Sequence, residues 1–233
     1  IRDSRQTVVA TSQVPLYVND PVAVTAEGTP VRIVRNAETN LGDLCADAYR
    51  ALSNADIAFV NGGGIRKQIE AGDITLDDIY SVHPFGNTMC VIRVTGQQVL
   101  DALEWGARAV PSENGGFLQV SGLTYEIHTG VASSAEKDEN GMFTRVSGEY
   151  RVKNVMVGGQ PLELDKTYTL ASHNYMLLGH GDGYTMFDGC EVLGEDMMVD
   201  NQVLITYITT TLGGVVGEQY ANPYGDGRIV AVE

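Results

Sequence analysis

Positive charge is what this sequence has least of: 15 Lys and Arg stand against 30 Asp and Glu, a formal net charge of -15. A nucleic-acid polymer needs a basic face, so the balance argues against one as partner. One small anion is still accessible if a few arginines converge locally. Cysteine is scarce as well, with isolated Cys45, Cys90 and Cys190 and no C-x-x-C pair. That pattern supports neither structural zinc nor a disulfide framework. Cys45 and Cys90 lie in apolar patterns and read as small buried hydrophobes. No apolar run reaches the roughly 20 residues of a membrane-spanning helix, so no span is expected. Internal repeats are missing too. The chain opens Ile1-Arg2-Asp3 without a Met or a signal-peptide pattern, which predicts a piece of a longer protein.

At 233 residues with 43% hydrophobic content, there is ample length for a real core. Residues 1–30 carry Pro15, Pro21 and Pro30 among short β-like pieces. They read as a lead-in segment, an edge strand or a linker from something upstream. From Leu41 the apolar positions Leu41, Leu44, Cys45, Ala48, Tyr49 and Leu52 share one helical face, with Thr39 or Asn40 as cap. Helix starts are also predicted at Thr75 and Thr95, the first ending before Pro84. Strands are expected at Ile57–Val60, Met89–Val94, within 117–127 and 150–157, at Tyr168–Ser172 and at Ile229–Val232. A final helix is expected over 200–211, and residues 133–140 read as a polar excursion. The order of elements is mixed, which predicts an α+β domain with a mixed sheet packed by helices.

The chain is organised around Asn61-Gly62-Gly63-Gly64-Ile65-Arg66, directly after the apolar run Ile57–Val60. A buried strand ending in three glycines predicts a tight loop that takes φ > 0 and brings its N–H groups to a ligand. No Gly-Lys-Ser/Thr follows and the G-x-G-x-x-G spacing is absent, so neither nucleotide fingerprint applies. The stretch equally suits an ordinary Gly-rich turn; other residues decide its meaning. Asn61 offers an amide for a base edge, and Arg66 a guanidinium for a phosphate. Arg35 precedes a helix N-terminus, where backbone donors already favour anions. Phe85 and Tyr175, aromatics in glycine-flanked loops, suit a flat heterocycle held between them. Asp182, between Gly181 and Gly183, suits a pair of hydroxyls. Trp105 falls on a helix and reads as packing. His173, His180 and Asp182 together form a conceivable zinc ligand set.

Four segments in order, residues 35–44, Asn61–Arg66, Pro84–Asn87 and Gly181–Tyr184, resemble the C-terminal, substrate-binding domain of the 5′-nucleotidase family. These are two-domain metallophosphoesterases, among them ecto-5′-nucleotidases and UDP-sugar hydrolases. The resemblance implies that residues 31–233 form that domain. It implies that Phe85 and Tyr175 stack the base, with Asn61 and Asn87 near its edge and Gly63 in the same loop. It further puts Asp182 on the ribose and Arg35 and Arg66 on phosphate and sugar, with Arg32 assisting. Tyr175 stands where many members have Phe, and the segment from Tyr175 to Asp182 is one residue longer than in the animal enzymes. The family's Asp-x-His, Gly-Asn-His-Asp/Glu and Gly-His-x-His metal signatures do not occur in this sequence. A divalent metal pair such as Zn or Mn is therefore expected in a preceding N-terminal catalytic domain, with no cofactor here, and this piece alone is expected to be inactive. The implied ligand is a nucleotide or nucleoside and the implied location extracellular, cell-surface or periplasmic. Parents acting on 2′,3′-cyclic nucleotides or UDP-sugars, and a non-catalytic binding or cell-surface module, share the same pattern.

Overall fold

A computed structural model describes residues 4–233 of the chain. Its centre is a five-stranded sheet in the order Glu191–Gly194, Met89–Thr95, Thr167–His173, Ile57–Asn61, Leu118–Ser121. Thr167–His173 runs antiparallel to Met89–Thr95 from the Thr167–Thr95 pair to the His173–Met89 pair. It runs parallel to Ile57–Asn61, with Leu170 opposite Ile57 and Ala171 opposite Ala58. The sheet is mixed, as the order of elements predicts.

Ile57–Asn61 is buried at every position, which explains its unbroken apolar run: both faces of the sheet are covered. Ala58 and Val60 face a core shared with helix α1 (Asn40–Ser53), helix α2 (Leu76–Val82) and Val203 and Leu204. Ile57 and Phe59 face a second core built with helix α3 (Gly96–Gly106), which includes Trp105. The three helices start where their caps stand. Thr39 accepts from the Gly42 N–H, while Thr75 and Thr95 form full capping boxes with Asp78 and Gln98. Cys45 and Cys90 are buried as expected.

Several expectations change. Within residues 1–30, Val8–Ser12 pairs with Gly72–Thr75 and with Val215–Val216, and Val14, Leu16 and Val18 are buried in the first core. That part is integral to the domain rather than a lead-in, because its apolar side chains close one side of the α1 layer. Asn19–Val24, paired with Pro30–Arg32, stands largely exposed. The polar excursion supplies the first strand of a hairpin, Ala135–Lys137 with Phe143–Val146, anchored by Phe143 against Trp105 at 5.6 Å between ring centroids. The final helix is α-helical over Asp200–Thr206 and continues as a π-helical turn over Tyr207–Thr211, where Thr209 and Thr210 hydroxyls donate to preceding carbonyls. No helix among the described residues is long and apolar enough to cross a membrane.

Candidate functional site

The parallel pairing brings the C-terminal ends of Ile57–Asn61 and Thr167–His173 to one edge of the sheet. In open sheets, crevices at such ends collect the loops that bind ligands. Here the edge carries a cavity of about 390 Å³ lined by Arg35, Asn61, Gly63, Gly64, Arg66, Phe85, Asn87, Gly115, His173, Tyr175 and Asp182. The expected binding residues Arg35, Asn61, Gly63, Arg66, Phe85, Asn87, Tyr175 and Asp182 are all among them. Arg32 is not: its guanidinium pairs with Glu113 at 2.6 Å on the surface.

The glycine loop works differently from the expectation. Gly62–Gly64 is a single 3-10 turn, and none of its residues has positive φ. The Gly62 and Gly63 N–H groups donate to Phe117 and Gly115 carbonyls, not toward the cavity. Glycine is needed there for close approach: a β-carbon on Gly62 would stand 2.3 Å from the Val34 carbonyl oxygen. The carbonyl of Gly64 accepts from Nδ1 of buried His83 at 2.9 Å, which ties this turn to the segment bearing Phe85 and Asn87.

Two aromatics stand at the cavity rather than in the core, Phe85 at 58% exposure and Tyr175 at 44%. Exposed rings of this size at a cavity mark a binding surface more readily than packing. The Arg66 guanidinium lies 5.7 Å from the centre of the Phe85 ring, a cation–π contact. Tyr175 lies on helix α4 (Asn174–Leu177), and Gly181 leaves it room, since a β-carbon there would come within 2.5 Å of its ring. Asn87 is held by its backbone, its N–H donating to Asp200 and its carbonyl accepting from the Asp200 N–H.

Asp182 has a left-handed backbone with φ 57°, which Asp tolerates better than most residues. Its carbonyl accepts from the indole N–H of Trp105 at 2.9 Å, and Arg108 stacks 3.5 Å above that indole. Trp105 is thus packing, as expected, and also a strut for the site. The Asp182 carboxylate accepts from Asn61 Nδ2 at 2.7 Å and from the Tyr175 hydroxyl at 3.2 Å. Asn61 Oδ1 accepts from His173 Nε2 at 2.8 Å. His173 is nearly fully buried, and burial, followed by the neighbouring His83, pushes its pKa down to about 3. His180 turns away and pairs with Asp188, so the three residues of the conceivable zinc set are engaged separately.

Arg35 completes the site. Its Nε is buried with no hydrogen-bond partner among the described residues. Burial first, then the charges of Arg32 and Arg66, pull its pKa below the ordinary arginine value. Arg35 and Arg66 thus bring two guanidiniums to the same cavity. Gly115 and the supporting place of His173 are not singled out by the sequence. For His173 the available signal is a polar residue ending an apolar strand two positions before Tyr175.

Residues 8–189 match the 5′-nucleotidase, C-terminal domain family. The chain is 36% identical over 203 residues to the trifunctional nucleotide phosphoesterase protein YfkN of Bacillus subtilis, covering 85% of this chain and 13% of that protein. It is 34% identical over 176 residues to the 5′-nucleotidase of Vibrio cholerae, covering 76% of this chain and 28% of that protein. A solved 5′-nucleotidase precursor from Thermus thermophilus superposes with a TM-score of 0.77 at 31% identity, over 99% of this chain and 40% of that one. The chain thus spans less than a third of the curated relatives it matches.

Proposed function

The chain belongs to the 5′-nucleotidase C-terminal domain family, and on that premise we propose that it recognises the nucleotide for a phosphoesterase that releases nucleosides. The observation that carries this reading is the convergence, in one cavity, of partners for each part of a nucleotide. Phe85 and Tyr175 take the base, with the Asn87 and Asn61 amides at its edge. Asp182 takes the ribose diol, its two oxygens each keeping a lone pair beyond those used by Asn61 and Tyr175. Arg35 and Arg66, the two guanidiniums that line the cavity, take the phosphate.

On this reading the bond-breaking chemistry belongs to a metal pair, such as Zn or Mn, in an N-terminal catalytic domain of the parent. The donor set of this cavity does not suit such a pair. Asp182 is its one carboxylate, and both nitrogens of His173 are engaged. The chain's residues therefore bind and orient, and the phosphate is carried to the metals by domain movement. A place outside the cytoplasm belongs to the same reading. The substrate class is a nucleotide phosphoester, in keeping with a relative named as a trifunctional nucleotide phosphoesterase.

Calorimetric titration with AMP and adenosine tests the proposal. Both should bind, and Phe85→Ala should weaken both by about 5- to 150-fold, since stacking a base is worth roughly 1–3 kcal/mol. Purified protein given Zn²⁺, Mn²⁺, Co²⁺ or Mg²⁺ should release no phosphate from AMP, UMP or UDP-glucose. Failure to bind any nucleotide or nucleoside, or a Phe85→Ala variant that binds as well as the parent sequence, refutes the recognition role. Metal-dependent release that tracks the protein through purification refutes the inactivity.

A further inference from the structure

His173 reaches the cavity, but neither of its nitrogens is free for a ligand. Nδ1 accepts from the Met176 backbone N–H at 3.4 Å, where His173 caps the short helix α4. A backbone N–H can only donate, so Nδ1 carries no proton. A neutral imidazole must then hold its proton on Nε2, the nitrogen that lies 2.8 Å from Asn61 Oδ1. The tautomer follows from what each nitrogen faces.

The same logic passes to Asn61. A side-chain amide can be turned over, and its two orientations are nearly isosteric. With Oδ1 taking the Nε2 proton, Nδ2 is left to donate to Asp182 at 2.7 Å. The reversed amide would set two donors face to face at His173 and two acceptors face to face at Asp182. Asn61 is buried, so water is poorly placed to relieve either conflict. His173 and Asn61 come from strand ends more than a hundred residues apart, joined only because the sheet pairs them in parallel.

We propose that His173 is the positioning residue of the ribose site: by donating from Nε2 it fixes the Asn61 amide as a donor, and Asn61 in turn fixes the Asp182 carboxylate. The inference rests on the reading that Asp182 binds the nucleoside diol. Asp182 needs such support because, among the described residues, only Tyr175, at 3.2 Å, holds its other oxygen. The Trp105 indole fixes the Asp182 main chain but leaves the carboxylate free to rotate. Burial keeps His173 neutral, with its pKa near 3, so the arrangement is unchanged across the physiological range. His173 touches neither the diol nor a phosphate and is not a catalytic residue.

Two conservative variants separate positioning from simple capping. Gln at this position extends an N–H to about where Nε2 lies, whereas Asn reaches only to about Nδ1. His173→Gln therefore keeps a donor for Asn61 and weakens the cap; His173→Asn keeps the cap and removes the donor. The readout is the ratio of affinities for adenosine and 2′,3′-dideoxyadenosine. His173→Gln should retain the ratio, and His173→Asn should lower it by about tenfold through weaker adenosine binding alone, the scale of one hydrogen bond to a charged group. The reverse order would make His173 a cap and nothing more, and an unchanged ratio in both variants would also overturn the proposal. If the unsubstituted protein itself does not prefer adenosine, the ribose role of Asp182 falls, and the positioning role falls with it. Nitrogen-15 spectra of the unsubstituted protein give a test that needs neither variant nor ligand. They should show His173 with Nε2 protonated and Nδ1 bare from pH 8 to pH 5. A proton on Nδ1, or titration near the ordinary histidine value of about 6.5, would refute it.

Discussion

Replacing Asp182 by Asn isolates the carboxylate's charge at almost constant shape. The backbone there sits at φ 57°, a region in which Asn is as comfortable as Asp, whereas Ala would add strain of roughly 1–2 kcal/mol. The new amide can still accept from Asn61 Nδ2 through its oxygen. Its NH₂ would face the Tyr175 hydroxyl, which can rotate to accept instead of donate. The cost to the fold is then one charge-assisted bond made neutral and one bond reversed, about 1–2 kcal/mol. The diol loses more. Two hydroxyls donating to a carboxylate are worth roughly 1.5–3 kcal/mol each, and the variant retains one neutral acceptor worth about 0.5–1.5 kcal/mol. The net loss of about 2.5–4.5 kcal/mol predicts adenosine affinity reduced by roughly 70- to 2000-fold. The affinity of 2′,3′-dideoxyadenosine should stay within about threefold of its starting value, the scatter expected of a remote change. Titration calorimetry with both ligands, together with a thermal melt to verify the fold, decides the matter. Equal losses for the two ligands, or adenosine binding unchanged, would refute the diol role.

Arg35→Met should reduce AMP affinity by about 10- to 100-fold and leave adenosine nearly unaffected, because one charge-assisted contact to phosphate is lost. The fold should tolerate it, since the Nε that is removed has no partner among the described residues; equal losses for AMP and adenosine would refute the phosphate assignment. A third expectation concerns pH and a site remote from the cavity, the carboxylate cluster Glu38, Asp43 and Asp226. Burial first, then a hydrogen bond with Glu38, raises the Asp43 pKa well above its ordinary value, against the pull of Arg228. The folded protein thus keeps a proton that the unfolded chain releases above pH of about 4. The Asp43 contribution to stability is complete below that pH and declines as pH rises toward the folded pKa. Urea midpoints should be lower at pH 9 than at pH 6, and Asp43→Asn should flatten the slope; an identical slope in the variant would refute the assignment.

Much of the local structure is legible along the chain because it depends on neighbours a few residues apart. The caps at Thr39, Thr75 and Thr95 mark helix starts through side chains that reach only three residues onward. Most residues that share the cavity are also readable, being aromatics, amides, charges or glycines in loops, whereas Gly115 and the supporting place of His173 are not. The place of Val8–Ser12 is not readable. Its partners Gly72–Thr75 and Val215–Val216 lie far along the chain, and prolines nearby give the stretch the appearance of a linker. The hairpin at Ala135–Val146 is hidden for a similar reason, its anchor being one Phe against a distant Trp.

Sequence alone determined the family, the mixed α+β character and the chemical types available to a ligand, because these rest on residue identity, spacing and order. Tertiary structure decided how those types are wired. It showed glycines chosen for close approach rather than for positive φ, since the obstructing Val34 carbonyl comes from another segment. It removed Arg32 from the site by giving it Glu113. It also joined His173 to Asn61 and Asn61 to Asp182. That last arrangement depends on the parallel register of two strands more than a hundred residues apart, and no local pattern encodes which strand ends will meet.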